Sequence, residues 1–179
     1  MTALTETKLL EHMQEILRLD RANFPGEPWS KTEFFAHYPK KWVLSRLCVA
    51  GPAAKREVAG YLIAYLYSRH FAHISRLAVK KCHRGSGISQ RLVHAVKRNA
   101  KRIGVTEVTV EVASRCLRSP KKYETARRFY STLGFTPISG QQLTTYLRRK
   151  DKLLLSGEYL GGQEQHTVFR LPLIDRSSP

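Results

Sequence analysis

The sequence has few cysteines and no long apolar segment. Its three cysteines and seven histidines show no spacing typical of a metal or redox site, so we expect reduced thiols and no bound metal. No apolar run approaches the roughly 20 residues that span a bilayer. Residues 1–20 lack the basic start and apolar core of a signal peptide. These absences predict a cytoplasmic protein that makes no use of a membrane.

Acidic residues are scarce and unevenly placed. The chain has 31 lysines and arginines against 14 aspartates and glutamates, a net charge of +17. No acidic residue occurs from Lys80 to Arg102, and Glu124 is the single one from Arg115 to Arg128. A surface this positive predicts an anionic partner, which is a phosphorylated cofactor, RNA or an acidic protein. The alternative is an ordinary solvated surface of a basic protein.

Hydrophobic periodicity predicts an α/β fold with the element order α-α-β-β-β-α-β-α-β. The predicted helices are Thr7–Arg21, Trp29–Phe35 with Ser30 as N-cap, Ile88 to about Ile103, and Glu124–Leu133. The predicted strands are Trp42–Ala50, Val58–Ser68, Ala72–Val79, Glu107–Val112 and His166–Leu173. Ser114–Lys122 is predicted to be a basic loop, and residues 139–165 give no clear pattern.

A short Gly/Pro turn between the first two predicted strands indicates an antiparallel hairpin. Together with the strand–helix–strand order that follows, this hairpin predicts a mixed, mainly antiparallel sheet flanked by helices. At 179 residues, we expect a single domain over residues 1–176 and a loose tail at 177–179.

The stretch from Ala72 to Arg102 combines a strand, a glycine turn and an amphipathic helix. Backbone N–H groups at a helix N-terminus point toward an anion, and the helix dipole favours negative charge there. Gly85 and Gly87 allow positive φ angles and close approach of the backbone to a ligand. The stretch therefore predicts a phosphate-binding turn, although a plain strand-to-helix turn has the same pattern.

Two motifs in this chain resemble those of the GNAT superfamily of acyl-CoA N-acyltransferases. The first is Arg84, Gly87 and Ser89 in R-G-S-G-I-S, and the second is F-Y-S-T-L-G-F at Phe129–Phe135. The resemblance implies a GNAT fold with acetyl-CoA as the acyl donor. It implies cofactor contacts through residues at the end of the third strand and in the turn and helix start after it, namely Leu77, Ala78, Val79, Arg84, Gly85, Ser86, Gly87, Ile88, Ser89 and Gln90.

The resemblance also implies two catalytic side chains. Tyr130 would be the acid that protonates the leaving thiolate, since a phenol of pKa about 10 can donate to it. Glu111, at the carboxyl end of its strand, would be the base that accepts the amine's proton. From residue type alone, Tyr130 is equally a buried aromatic and Glu111 a solvated charge like Glu107.

Further segments look like the RimI-type ribosomal-protein alanine N-acetyltransferases of bacteria, among them F-P-G-E-P-W-S at Phe24–Ser30. The sequence thus predicts transfer of acetyl to a primary amine, most directly a protein N-terminal α-amine or lysine. The expected partner is a protein substrate, with a ribosome-associated protein and an RNA contact through the basic surface as further expectations. The alternatives are a transferase acting on charged tRNA, one acting on a small-molecule amine, and a GNAT-fold binding module without catalysis.

Overall fold

The structure is a computed structural model that describes residues 1–36, 41–112, 120–146 and 167–173. Its strands are β1 (Thr2–Ala3), β2 (Arg46–Ala50), β3 (Glu57–Ser68), β4 (Phe71–Val79), β5 (Glu107–Val112), β6 (Thr136–Pro137) and β7 (Thr167–Pro172). Its helices are α1 (Glu6–Glu11), α2 (Met13–Asn23), α3 (Lys31–Phe35), α4 (Lys41–Leu44), α5 (Ile88–Arg102), α6 (Pro120–Thr132) and α7 (140–146). The chain forms two compact units, Met1–Thr106 and Glu107–Pro179.

The first unit is built on four antiparallel strands in the order β1-β2-β3-β4. β3 is almost continuously apolar and buried from Val58 to Leu66, so its two faces must both be covered. The apolar face of α2, with Met13, Ile16 and Leu19, joins β3 in the hydrophobic core. α5 packs on the same strands through a set of buried residues, Ile88, Leu92, Val93, Ala95, Val96 and Ala100.

The second unit contains three antiparallel strands in the order β5-β7-β6. β5 forms over the predicted residues, and its Val108, Thr109 and Val110 are buried, as is Phe169 of β7. α6 adds aromatic side chains to this core, because the ring of Tyr130 lies 5.9 Å from that of Phe169. Both units therefore confirm the predicted α/β fold with mainly antiparallel strands and flanking helices.

The predicted strand Trp42–Ala50 is wrong in its first half. Lys41–Leu44 forms a helical turn, and the strand begins at Arg46. The physical reason is the side chain of Lys41, which is buried and donates to the backbone oxygen of Phe34. Its ammonium lies 5.0 Å from the ring centre of Trp42 and 5.6 Å from that of Trp29. Burial lowers the pKa of Lys41 to about 8.

Other differences concern element boundaries. The predicted helix Thr7–Arg21 is two helices that meet at His12. α6 begins at Pro120, within the predicted basic loop, because proline suits the first position of a helix, where its missing N–H has no partner to lose. The two-residue strands β1 and β6 are too short to show a pattern. The remainder of that loop, 114–119, and the tail at 177–179 lie outside the described residues.

None of the helices that the structure describes is both long and apolar enough to cross a bilayer.

Candidate active site

The turn before α5 is held in a left-handed conformation by its two glycines. Gly85 has φ of 79° and Gly87, the N-cap of α5, has φ of 77°. A Cβ atom at Gly85 would meet nothing within 4 Å, so this glycine is required by backbone conformation and not by crowding. Because Gly87 has no side chain to cap the helix, the first N–H groups of α5 receive no side-chain acceptor at the cap.

Six successive backbone N–H groups in this turn have no acceptor among the described residues, and they belong to Gly85, Ser86, Gly87, Ile88, Ser89 and Gln90. The turn itself is braced from both sides. The Ser86 hydroxyl donates to the His83 carbonyl at 2.6 Å, and the Arg91 guanidinium donates to the Ser86 carbonyl at 2.9 Å. A row of oriented donors at the positive end of a helix dipole is suited to bind an anion such as a diphosphate.

A glycine that the sequence analysis did not single out sets how closely α5 approaches the sheet. A Cβ atom on Gly60 of β3 would lie 2.9 Å from the Ala78 carbonyl oxygen and 3.2 Å from Cγ2 of Ile88. Such a distance to backbone is not tolerated, so any larger residue at position 60 would push α5 away from β4. The signal in the sequence is a single glycine in an otherwise bulky strand.

The end of β4 carries the other predicted cofactor contacts. Ala78 and Val79 are buried, while Leu77 is half-buried. β4 has an extra residue, Ser75, because the register with β3 shifts between the Ile63–Arg76 and Ala64–Ile74 pairs. A β-bulge changes the twist and direction of the strand that follows it. The strand segment from Leu77 to Val79 therefore runs in a different direction from the part of β4 before the bulge.

Arg84 is exposed and oriented by two hydrogen bonds. Its guanidinium donates to Oδ1 of Asn23 at 2.9 Å and to the Val79 carbonyl at 3.4 Å. Nδ2 of Asn23 in turn donates to the Leu19 carbonyl at 2.8 Å. Arg84 thus stands beside the turn in a defined position.

A carboxylate at the start of β3 links the segments on either side of Lys81. Glu57 accepts hydrogen bonds from Lys80 and, at 3.0 Å, pairs with Nε2 of His83. These partners, Lys80 first, lower the pKa of Glu57. Glu57, Cys82 and His83 are also the one group of three metal-ligand side chains within 4.8 Å of one another in the described chain. Since the carboxylate of this group already pairs with Lys80, we assign no metal to it.

In the second unit, Glu111 lies on β5 opposite Val168 of β7 and is half-buried. Its carboxylate accepts a hydrogen bond from the hydroxyl of Tyr146, whose side chain is 4 % exposed. Sequence reasoning did not identify Tyr146, because a lone tyrosine in a weakly patterned segment gives no signal. Glu107, which was expected to be a solvated charge, is half-buried and paired with Arg170 at 2.9 Å.

Tyr130 is 9 % exposed and lies among aromatic side chains of the second unit. The centre of its ring is 5.1 Å from that of Phe129 and 5.6 Å from that of Phe135. The Phe135 N–H donates to the Tyr130 carbonyl at 3.0 Å, so the turn containing Gly134 closes directly over this part of α6. This packing orients the tyrosine ring and makes Tyr130 a core residue, while its role as the acid stays a prediction.

Comparison with known proteins shows what the fold is similar to. The ribosomal-protein-S18-alanine N-acetyltransferase of Escherichia coli has 16% identity and a TM-score of 0.59, over 99% of this chain and 97% of that one. Ard1 of Thermoplasma volcanium has 17% identity and a TM-score of 0.62, over 92% and 93%. A chain of the NatC complex bound to Gag peptide and CoA has 19% identity and a TM-score of 0.63, over 95% and 96%.

No curated protein sequence matches the chain. Residues 44–137, more than half of its length, match the family described as acetyltransferase (GNAT) domain. This match spans β2 to β6 and includes both the glycine turn before α5 and the F-Y-S-T-L-G-F motif. The chain therefore belongs to the GNAT superfamily and is an N-acetyltransferase.

Proposed function

We propose that this protein transfers the acetyl group of acetyl-CoA to a protein amine, most directly an N-terminal α-amine. The observation that supports the donor is the row of six unpaired N–H groups from Gly85 to Gln90. They match the pyrophosphate of CoA in charge and hydrogen-bonding type. Arg84, already oriented beside the turn, would add a positive charge, and Leu77–Val79 would pair with the pantetheine arm.

The reaction needs one bond formed and one broken. The amine nitrogen attacks the thioester carbonyl carbon, the new C–N bond forms, and the C–S bond breaks to release CoA thiolate. In the proposal, Glu111 accepts the proton that the amine loses, directly or through water, and Tyr130 gives a proton to the thiolate. A carboxylate is a weak base, so an α-amine with a pKa near 8 suits Glu111 better than a lysine with a pKa near 10.4.

Tyr146 has a positioning role in this scheme. Its hydroxyl donates to the Glu111 carboxylate. Because the tyrosine ring is buried, this hydrogen bond holds the carboxylate in a restricted orientation. A hydrogen bond to the charged form of a carboxylate stabilises that form. We therefore expect Tyr146→Phe to shift the acidic limb of the pH–rate profile upward while leaving acetyl-CoA affinity unchanged.

The acceptor class is tested by incubating the protein with radiolabelled acetyl-CoA and a lysate separated into protein, tRNA and small-molecule fractions. We expect label in protein, at N-terminal residues identified by mass spectrometry. Label in aminoacyl-tRNA would favour the second candidate, a tRNA-directed transferase, which the basic surface of α5 supports. Label in small molecules alone would refute both. Cationic small molecules suit an acidic cleft, and this chain has only 14 acidic residues.

The catalytic roles are tested by Tyr130→Phe and Glu111→Gln, with Glu107→Gln as the matched control on β5. Tyr130→Phe should lower kcat with little change in the Kd of acetyl-CoA, and Glu111→Gln should do the same, whereas Glu107→Gln should keep activity. Typical general acid–base contributions are about 10²–10⁴-fold in rate. Unchanged turnover in either variant would show that the substituted residue does not have the proposed catalytic role. If both variants keep the protein's effect in cells, the protein acts as a binding module without catalysis.

The donor site is tested with a matched pair of glycines at opposite ends of α5. Gly87→Trp should abolish acetyl-CoA binding in calorimetry, because the indole would cover the N–H groups. Gly104→Trp is the control, since Gly104 has a similar φ of 80° and a Cβ there would meet nothing within 4 Å, while one at Gly87 would meet only the flexible ends of Arg91 and Gln90. Normal binding by Gly87→Trp, or equal loss in both variants, would contradict the placement.

A further inference from the structure

The solvent-facing side of α5 carries positive charge and no negative charge. Its exposed positions are Gln90, Arg91, His94, Arg98, Lys101 and Arg102. At 3.6 residues per turn they cover about 140° of the helix circumference together with the half-buried Lys97. The opposite side is apolar and buried in the first unit. We call Arg98, Lys101 and Arg102 the basic face.

The cations of the basic face are not neutralised by ion pairs in the described part of the chain. Among the described residues, no ion pair includes Arg98, Lys101 or Arg102. The sequence has no acidic residue between Glu57 and Glu107, so none is nearby along the chain. Within the described residues, this charge therefore has no acidic side chain paired with it.

One neighbour makes the charge unfavourable. Arg46 of β2 is 7 % exposed, and its guanidinium donates to the carbonyl oxygens of Val43 and Ser45. Burial first, and then the positive charge of Arg102, lower the pKa of Arg46. Like charges that a fold brings close cost stability, and an external anion would relieve that repulsion.

Acetyl-CoA does not account for the basic face. Arg98 lies ten residues after Ile88, the first residue of α5, which is about 15 Å along the helix axis at 1.5 Å per residue. The N–H groups that would bind a diphosphate are at the other end of the helix. Part of the charge at Lys101 and Arg102 suits the negative end of the helix dipole, but Arg98 is a full turn earlier.

The chemistry of the surface distinguishes among anionic partners. An interfacial membrane helix exposes apolar residues, whereas the apolar side of α5 is already buried. A protein interface is usually centred on aromatic or apolar anchors, and the exposed positions within α5 include none. Cations on a rigid helix without such anchors are typical of contacts to a phosphate backbone.

We propose that the basic face of α5 is a docking surface for the phosphate backbone of RNA. This inference rests on the proposed function. It adds that the protein binds RNA close to the acceptor amine that it acetylates. Contacts of this kind set position and affinity without reading sequence.

The test is fluorescence anisotropy with a labelled RNA hairpin of defined sequence, measured from 50 to 300 mM NaCl. Three phosphate contacts predict a slope of log K against log salt that is steeper by about 2 to 3 in the wild type than in the triple variant Arg98→Gln/Lys101→Gln/Arg102→Gln. Binding at 100 mM salt should weaken roughly tenfold to a hundredfold.

The matched control is Arg18→Gln/Lys31→Gln/Lys55→Gln, which removes the same net charge from exposed positions of the same unit. It should keep most of the affinity. Equal loss in both triple variants would show a general charge effect and overturn the proposal, as would unchanged binding in the α5 variant. Tighter α5-dependent binding to a DNA hairpin, to polyglutamate or to anionic phosphatidylserine vesicles would assign the surface to another partner and also overturn it.

Acetylation of an isolated peptide acceptor is measured on the same proteins. We expect the α5 variant to acetylate it as the wild type does while failing to bind RNA. A wild type that binds RNA through α5 but acetylates no protein would refute the proposed function alone, whereas normal acetylation without α5-dependent RNA binding would refute this inference alone.

Discussion

α2 and α5 are both amphipathic helices on the surface of the first unit, but they use charge in opposite ways. The charged residues of α2 include both signs, and two of its carboxylates, Glu15 and Asp20, bond to other segments. The charged residues of α5 are all positive and point to solvent, apart from the half-buried Lys97. Covering the sheet requires only an apolar side, so the charge on α5 is not needed for the helix to pack. The comparison separates residues that hold the fold from residues that are available to a partner.

Asp20 shows how strongly α2 depends on its buried charge. It is fully buried and accepts from the Tyr61 hydroxyl and, at 2.6 Å, from the Trp29 N–H. Arg76 lies 3.9 Å away, with its guanidinium 4.2 Å from the ring centre of Phe24. Burial raises the pKa of Asp20 although these donors oppose the shift.

The largest effect is therefore expected for Asp20→Ala. It leaves the Arg76 charge without its counter-charge, and the buried Tyr61 hydroxyl and the half-buried Trp29 N–H without their acceptor, which should lower the free energy of unfolding by about 3–5 kcal/mol. Urea denaturation checks this against Arg18→Ala, an exposed change on the same helix that should stay within about 0.5 kcal/mol. A loss below about 1 kcal/mol for Asp20→Ala would remove the contrast between the helices.

A buried cation provides the second test. The pKa of Lys41 is about 8 when folded and near its ordinary 10.5 when unfolded, so between these values the unfolded chain binds more protons. Stability then rises with pH across this window, and it levels off below pH 8, where Lys41 is protonated in both states. Relative to Lys41→Met, the wild type should gain up to about 3 kcal/mol from pH 7 to pH 10.5. Parallel stability curves for the two proteins would show that Lys41 does not titrate in this way.

The smallest effect on stability is expected for the basic face. In Arg98→Gln/Lys101→Gln/Arg102→Gln, the loss of favourable charge at the helix C-terminus opposes the relief of repulsion on Arg46. The free energy of unfolding should change by no more than about 0.5 kcal/mol. Thermal unfolding at low and high salt measures both contributions. A destabilisation above about 1.5 kcal/mol would make these residues part of the fold, as on α2.

The sequence was most informative where the structure depends on neighbours along the chain. The turn before α5 lies within one strand–turn–helix stretch, and its two glycines have the positive φ that the pattern requires. The pairing of Tyr146 with Glu111 could not be predicted, because 35 residues separate them and only the tertiary fold brings them together. The helical turn at Lys41–Leu44 was missed for a similar reason, since propensity gives no sign that a lysine will be buried.

The hydrogen bond from Arg84 to Asn23 has a consequence for the entropy of ligand binding. An arginine side chain loses about 1.5–2 kcal/mol of rotational freedom when it becomes ordered. Here that loss takes place during folding, because Asn23 is itself oriented by the Leu19 carbonyl and holds the guanidinium in one position. An anion that reaches the turn meets a side chain that is already ordered, so little further freedom remains to be lost when it binds.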